Sequence, residues 1–210
     1  MEILYRMSAD ILLDAQIAQL VYDRCSAERR KKADRCRTAE HRRQSLAASC
    51  LLDCALRNMG MQEQAVQYRE GADGKPTIPA VPDFHFNLSH SGNHIICAVS
   101  DREIGADVEM PREFSPRLLQ RYFTEQERTE PLRVWVLKES FCKLTGVGIR
   151  EIPTLEAQLT DAVSMLRNGQ KTDAVFWEKQ LSDGTNLAVC CYGPMPIQIQ
   201  EIIIKRSDLI

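Results

Sequence analysis

The order of helix and strand patterns in this chain repeats once, and this repeat limits the folds open to it. Apolar residues recur at helical spacing over residues 46–59, and an apolar strand pattern follows at 95–99. The second half has the same order, with a helix pattern at 132–144 and a strand pattern at 187–191. Helices followed by strands at hairpin spacing favour an α+β fold. We therefore predict two similar α+β halves, residues 1–105 and 106–210, each a helix packed on an antiparallel sheet, forming a pseudo-twofold monomer.

Composition excludes several classes of protein. The 210 residues are 44% hydrophobic and 27% charged, as in ordinary globular proteins. The net charge of −2 gives no general attraction to nucleic acid or membrane, and no apolar run approaches the roughly 20 residues of a membrane span. Five of the eight cysteines lie in apolar patterns (Cys50, Cys54, Cys97, Cys190 and Cys191), and the sequence has no paired CxxC motifs. We expect free thiols and a cytoplasmic protein, since the N-terminus also lacks the layout of a secretion signal.

Two carboxylates occupy alternate positions of a short predicted strand. Side chains two apart on a strand point the same way, so Asp107 and Glu109 share a face. Gly105 lies beside them and leaves room for something large to approach. An exposed edge strand would show the same alternation, so the pair alone does not decide between a surface and a site.

A third carboxylate lies on the predicted helix of the second half. Glu139 and Lys143 are one helical turn apart, which by itself suits a surface ion pair of about 0.3–0.5 kcal/mol. Three acids with a nearby lysine, however, are typical of a Mg²⁺ ion that holds a phosphate. In that arrangement Glu139 orients or deprotonates a hydroxyl, and Lys143 neutralises charge on the transferring phosphoryl group.

Basic residues supply a second set of candidates. Residues 28–43 contain eight Lys or Arg against three acids, which by default is a solvated helix face. The tract has no interleaved aromatic residues, so stacking on single-stranded nucleic acid is not expected. Lysine and arginine in such a cluster also suit the phosphates of a nucleotide. Two further residues are candidates to donate hydrogen bonds to a phosphate. They are Lys75, in a Gly-Lys-Pro loop, and His90, in a predicted Ser-His-Ser turn.

Five segments form an ordered set of motifs along the chain. They are Gly-Lys-Pro (74–76), Phe-Asn-Leu-Ser-His-Ser-Gly (86–92), Ile-Gly-Ala-Asp-Val-Glu (104–109), Phe-Thr-Glu-Gln-Glu (123–127) and Trp-Val-Leu-Lys-Glu-Ser-Phe-Cys-Lys (135–143). In order and spacing this set resembles the surfactin-type 4′-phosphopantetheinyl transferases, over nearly the whole chain. Five ordered matches are more specific than any one of them.

The resemblance implies a monomeric transferase with coenzyme A between its two halves. It implies transfer of the 4′-phosphopantetheine arm to a serine of an apo acyl or peptidyl carrier protein, with release of 3′,5′-ADP. Mg²⁺ would be the cofactor, with Mn²⁺ accepted in its place. The carrier would belong to fatty-acid, polyketide or nonribosomal-peptide synthesis, and neither nucleic acid nor membrane would be a partner.

Site residues follow from the same resemblance, position by position. Asp107, Glu109 and Glu139 would hold the metal on the pyrophosphate, and Asp107, Glu139 and Lys143 form the catalytic set. Glu139 would act as base toward the serine hydroxyl, directly or through water, and Lys143 would stabilise the pyrophosphate or the leaving group. The first half would supply the coenzyme contacts and the second the catalytic helix. The coenzyme contacts would be Lys32 and Arg29 on the 3′-phosphate, with Arg43, Lys75, Pro76, Ser89 and His90 on the other phosphates and the adenine.

Two other functions are compatible with these residues. A metal-dependent nucleotide phosphohydrolase would use the same acids and would cleave coenzyme A with no carrier present. A catalytically silent module that binds coenzyme A or a carrier would need the basic residues alone. The complete set of Asp107, Glu109, Glu139 and Lys143 disfavours the silent module, because binding alone requires no base.

Overall fold

Helices packed on mostly antiparallel sheets make up the computed structural model, which describes residues 2–71, 74–193 and 199–210. This confirms the predicted α+β class. The helices are α1 (Ala15–Arg24), α2 (Ala27–Asp34), α3 (Ala39–Arg57), α4 (Pro116–Tyr122) and α5 (Pro131–Thr145). The strands are β1 (Glu2–Ser8), β2 (Arg69–Glu70), β3 (Pro76–Thr77), β4 (His85–Ser91), β5 (His94–Ser100), β6 (Ile104–Glu109), β7 (Leu155–Gln158), β8 (Ser164–Arg167), β9 (Gln170–Lys171), β10 (Ala174–Gln180), β11 (Asn186–Tyr192) and β12 (Ile199–Ile203).

Helix α3 packs on the first sheet, whose strand order is β12-β1-β5-β4. All neighbours in this sheet are antiparallel except β1 and β12, which run parallel. The helix begins at Thr38, whose hydroxyl accepts a hydrogen bond from the His41 amide. The first helical residue, Ala39, lies seven residues before the predicted one, because the first two turns are polar and carry no apolar repeat. Leu51 and Leu52 are fully buried against the sheet.

Helix α5 packs on the second sheet, which has the strand order β10-β11-β6. It ends at Gly146, whose φ of 74° is left-handed and whose amide donates to the Cys142 carbonyl. The predicted helix and its glycine stop are therefore confirmed. The predicted strands over 174–180 and 187–192 also agree with β10 and β11. A small sheet of β7, β8 and β9 lies beside this layer.

Gly105 allows α5 to approach β6 closely. A Cβ atom at this position would lie 2.1 Å from the Ser140 carbonyl oxygen and 2.5 Å from the Leu144 amide nitrogen. The room predicted beside the acidic strand is therefore occupied by the backbone of α5. As a result, side chains of this helix reach the acidic face of the strand.

Side chains of β4 bridge the two sheets at β6. Asn87 Oδ1 accepts a hydrogen bond from the Ala106 amide at 3.1 Å. Ser89 Oγ donates to Asp107 Oδ1 at 2.7 Å, and Ser91 Oγ accepts from the Met110 amide at 3.1 Å. Alternate residues of one strand thus face the acidic strand of the other sheet.

Two local predictions differ from the structure. Residues 89–91 belong to β4 rather than to a turn, because their side chains bond across to β6 and the chain reverses only at residues 92–93. The basic tract is not one helix face but α2 followed by the start of α3.

A last strand was predicted over residues 198–205. Gln198 lies outside the described residues, and β12 covers residues 199–203 of the predicted range.

All eight cysteines are described and carry free thiols, as predicted. Among the helices that the structure describes, none combines the length and apolarity needed to cross a bilayer.

Candidate active site

The three predicted metal ligands meet at one point. Asp107 and Glu109 share the face of β6 that packs on α5, and Glu139 approaches from α5. One carboxylate oxygen from each residue lies within 4.8 Å of the other two. The opposite face of β6 is fully apolar and buried, so the direction of the acidic pair is fixed. The alternation seen in the sequence therefore marks the wall of a site and not an exposed edge.

The acidic cluster has the donor set of a divalent-cation site. Asp107 is 2% exposed, and its Oδ2 atom is buried without a hydrogen-bond partner. A buried acceptor left unsatisfied costs about 1–3 kcal/mol, which a cation bound to that oxygen would remove. Hard cations prefer carboxylate oxygens, so Asp107, Glu109 and Glu139 fit a hard divalent metal ion.

Burial, together with mutual repulsion, raises the pKa values of two carboxylates in this cluster. Burial, and after it the charge of Asp107, raises the pKa of Glu139 to about 7, although Lys143 lowers it in part. Burial likewise raises the pKa of Glu109, and the nearby Arg112 offsets some of that effect. Like charges at this separation resist joint ionisation. A bound cation would favour the ionised form of Glu139 at neutral pH.

Lys143 contacts the acidic strand rather than the acid on its own helix. Its ammonium donates to Asp107 Oδ1 at 2.6 Å and to Ser89 Oγ at 2.8 Å. Glu139 and Lys143 are both described, and no ion pair within 4.0 Å joins them. The alternative of a solvent-exposed i, i+4 pair is therefore wrong. Lys143 places a cation at the edge of the acidic cluster.

Hydroxyls from β4 fix the acidic side chains, and sequence reasoning assigned only one of them to the site. Ser89 Oγ bonds both Asp107 and Lys143, and Ser91 Oγ donates to Glu109 Oε2 at 3.2 Å. Because Ser91 was predicted to lie in a turn, its contact with Glu109 was missed. The alternation of Asn87, Ser89 and Ser91 was the signal available, since period-two polar residues indicate one strand face.

A cleft of about 270 Å³ opens beside the acidic cluster. It lies between β4 on one side and the C-terminal end of α5 on the other, and Lys143 connects it to Asp107. Lys75 donates to Glu103 Oε2 at 2.6 Å and to the Ile104 carbonyl at 3.1 Å, which fixes its side chain along the wall. Predicted coenzyme contacts that line this cleft are Arg29, Lys32, Lys75 and Pro76.

The other predicted coenzyme contacts lie outside the described lining of this cleft. Ser89 belongs to the bridge between the sheets. His90 is exposed on the same strand, and desolvation followed by the charges of Lys143 and Lys32 lowers its pKa. Arg43 is half-buried on α3, with its Nε atom lacking a hydrogen-bond partner. The structure therefore gathers most, but not all, of the predicted basic contacts around one cavity.

Lys138, the other lysine of the helix motif, is a structural residue. Its side chain is 1% exposed, and its ammonium donates to Glu127 Oε2 and to the Tyr122 carbonyl, each at 2.8 Å. Glu127 also accepts hydrogen bonds from the Thr124 and Ala157 amides. This buried network ties α5 to the loop that precedes it and to β7. It explains in physical terms why the 123–127 motif accompanies the helix motif.

Comparison with known proteins identifies the family. Residues 103–191 match the family model of the 4′-phosphopantetheinyl transferase superfamily. The chain is 31% identical over 201 residues to the 4′-phosphopantetheinyl transferase psf-1 of Bacillus pumilus, covering 88% of this chain and 86% of that protein. It is 30% identical over 186 residues to the 4′-phosphopantetheinyl transferase Sfp of Bacillus subtilis (strain 168), covering 80% and 83%. The 4′-phosphopantetheinyl transferase HetI of a Nostoc species is 32% identical over 156 residues, 64% of this chain and 65% of that protein. The chain therefore belongs to the 4′-phosphopantetheinyl transferase superfamily and is a transferase.

Proposed function

We propose that this transferase moves the 4′-phosphopantetheine arm of coenzyme A onto a serine of an apo carrier protein, using Mg²⁺. In this reaction the serine Oγ forms a bond to the phosphorus that bears pantetheine. The bond from that phosphorus to the bridging oxygen breaks, and 3′,5′-ADP leaves with the electron pair. The observation that carries the proposal is the acidic cluster of Asp107, Glu109 and Glu139 beside a cleft lined by four basic residues.

The acidic cluster would hold the metal against the diphosphate. Bound there, Mg²⁺ would supply positive charge to the diphosphate oxygens and so favour departure of the leaving group. The Oδ2 atom of Asp107 supports this role, because it offers a ligand position that none of the described protein groups uses. Ser91 would keep Glu109 oriented toward the same point.

Glu139 is the proposed base for the serine hydroxyl, directly or through one water. A carboxylate whose pKa is raised toward neutrality accepts a proton more readily than an ordinary one, and burial together with Asp107 raises the pKa of Glu139 to about 7. Lys143, whose ammonium lies 2.6 Å from Asp107 Oδ1, would stabilise the negative charge that develops on the 5′-phosphate of the leaving 3′,5′-ADP. Both groups lie on α5, so one rigid helix would deliver base and cation together.

The nucleotide end of coenzyme A would occupy the basic cleft. Arg29, Lys32, Lys75 and Lys143 line this cleft and would offer positive charge to the phosphates. Lys143 lies at the metal end, so the diphosphate would begin there, and the 3′-phosphate would extend to Arg29 and Lys32. Lys75 and Pro76 would contact the adenine. The remaining proposed contacts are Ser89, His90 and Arg43. Ser89 accepts a hydrogen bond from Lys143 and would therefore lie on the diphosphate side.

The proposed partner is an acyl or peptidyl carrier protein of fatty-acid, polyketide or nonribosomal-peptide synthesis. The relatives named above support a carrier as acceptor, since each is a 4′-phosphopantetheinyl transferase. We further propose that the enzyme works as a monomer in the cytoplasm, with residues 1–105 supplying coenzyme contacts and 106–210 the catalytic helix. Eight free thiols, six of them buried, suit a reducing compartment.

One experiment separates this proposal from hydrolysis. The protein is incubated with coenzyme A and Mg²⁺, once alone and once with each of a panel of apo carrier proteins, and all products are followed by mass spectrometry. The proposal expects 3′,5′-ADP only when a carrier is present, in equal amount to the modified carrier. Release of 3′,5′-ADP without a carrier would indicate a phosphohydrolase, and no adduct on any carrier would indicate a silent binding module.

A further inference from the structure

Glu63 is a fully buried carboxylate that the reaction above does not use. It lies in the turn after α3 and is 0% exposed. Its Oε1 atom accepts hydrogen bonds from the Tyr68 hydroxyl at 2.6 Å and from Ser26 Oγ at 2.8 Å, and its Oε2 atom accepts one from the Ser26 amide. Ser26 is the residue that begins α2. One carboxylate therefore fixes both the start of the basic helix and an aromatic side chain.

Arg29 is held between the same two residues. Its guanidinium lies 5.0 Å from the centre of the Tyr68 ring, and its Nε atom lies 3.9 Å from Glu63 Oε1. Only 7% of Arg29 is exposed, yet it lines the coenzyme cleft with Lys32. The ring of Tyr68 also meets Phe86, another wall residue of that cleft, edge to face at 6.3 Å.

This arrangement orients the Arg29 guanidinium without using all of its N–H donors. Burying a cation is costly unless a nearby anion compensates it, and Glu63 supplies that charge. Glu63 already accepts three other hydrogen bonds, and its distance from Arg29 is longer than a hydrogen bond. A guanidinium has five N–H donors, so donors of Arg29 remain for an anion in the cleft.

We propose that Glu63 and Tyr68 are positioning residues that hold Arg29 toward the 3′-phosphate of coenzyme A and thereby set the preference for coenzyme A over 3′-dephospho-coenzyme A. The proposal rests on the function given above and adds how this chain selects its coenzyme. Glu63 and Tyr68 do not touch the reacting atoms. Their effect falls on coenzyme affinity and leaves turnover at saturation intact.

The chain contains a matched control for this cluster. Tyr22 donates its hydroxyl to Asp34 at 2.9 Å, and the guanidinium of Arg42 lies 5.2 Å from the centre of its ring and 3.7 Å from Asp34. A tyrosine, a carboxylate and an arginine meet here as they do at Tyr68, Glu63 and Arg29, although the ion pair here is more exposed to solvent. Tyr22 and Asp34, however, are absent from the described lining of the coenzyme cleft.

The test compares KM and kcat for coenzyme A and for 3′-dephospho-coenzyme A, with one apo carrier that the wild type modifies. Tyr68→Phe keeps the ring and the fold and removes one charge-assisted bond, so KM for coenzyme A should rise by about fivefold. KM for the dephospho form and both kcat values should stay unchanged. Glu63→Gln should raise KM for coenzyme A further, and Tyr22→Phe and Asp34→Asn should change nothing.

Each possible result either supports or overturns the positioning role of Glu63 and Tyr68. Loss of preference for coenzyme A in Tyr68→Phe, with the control variants unaffected, supports the proposal. Unchanged preference in Tyr68→Phe, an equal effect on both coenzymes, or a wild type that uses both equally well would overturn it while leaving the transferase function standing. Failure of the wild type to modify any apo carrier of the panel, from either coenzyme, would instead refute the proposed function itself.

Discussion

The close approach of α5 to β6 at Gly105 predicts the effect of a single methyl group. In Gly105→Ala the added Cβ would meet the Ser140 carbonyl oxygen at 2.1 Å and the Leu144 amide nitrogen at 2.5 Å. Carbon and oxygen atoms in contact lie about 3.3–3.6 Å apart, so α5 must move away by roughly 1 Å. That motion carries Glu139 and Lys143 away from Asp107.

The two consequences of this displacement differ in size and can be measured separately. Overpacking of this kind lowers the free energy of unfolding by about 1–3 kcal/mol, measured by urea titration. A 1 Å displacement of reacting groups lowers the rate by about 10²-fold, measured as modified carrier per minute at saturating coenzyme A and Mg²⁺. The variant should therefore be folded and nearly inactive.

Gly60→Ala provides the control for this variant. Gly60 has a φ of 74° and no atom within 4 Å of an added Cβ. Alanine there costs about 1–2 kcal/mol through backbone strain alone, and the catalytic helix does not move. We expect Gly60→Ala to lower the free energy of unfolding about as much as Gly105→Ala does, but to keep full transfer activity. If Gly105→Ala retained wild-type turnover, the reasoning that helix position sets the site geometry would be refuted.

Three further predictions concern the acidic cluster and its support. Because the pKa of Glu139 is raised to about 7 in the metal-free protein, protons compete with Mg²⁺ below that pH. Calorimetric affinity should fall by up to about tenfold per pH unit between pH 7 and 5 and level off above 8; a flat profile would contradict this. Ser91→Ala removes the hydroxyl that orients Glu109 and should weaken Mg²⁺ binding by about tenfold or more with unchanged unfolding, whereas unaltered affinity would show that the contact is incidental. Lys138→Met leaves the buried Glu127 carboxylate without its cation and should lower the free energy of unfolding by about 3–5 kcal/mol. Adding Glu127→Gln should recover part of that loss. A loss below about 1 kcal/mol in Lys138→Met would contradict the structural role of Lys138.

Strand β6 and helix α5 could be predicted because their signals are local. Alternation of Asp107 and Glu109 with apolar residues defines a strand face, and the apolar repeat up to Gly146 defines a helix end. Both follow from residues a few positions apart, and both are confirmed. What the local pattern could not show is which elements face each other.

Contacts between distant segments account for the differences. Helical spacing left open whether Lys143 pairs with Glu139 on the helix surface or serves a site, and the approach of α5 at Gly105 directs it to Asp107 on β6. Ser91 was expected in a turn, but its bonds to Glu109 and Met110 extend β4 by several residues. In each case a tertiary hydrogen bond replaces the preference of the local sequence.

The basic tract shows a second limit of sequence reasoning. Charge alone predicted a solvated face, yet Arg29 is buried while Lys31 and Lys32 of the same helix are exposed. The difference depends on Glu63, more than 30 residues away in the chain, which compensates that one charge. Periodicity within the tract carries no signal for such a partner.

The central claim is that Asp107, Glu109 and Glu139 form one metal site on which transfer depends. Its most direct test is the rate of carrier modification against Mg²⁺ concentration, by intact-mass spectrometry, for the wild type, Asp107→Asn, Glu139→Gln and the exposed control Glu125→Gln. Asp107→Asn and Glu139→Gln should retain the fold and lose transfer by about 10³-fold or more, and Glu125→Gln should match the wild type. Full activity in either Asp107→Asn or Glu139→Gln would contradict the claim.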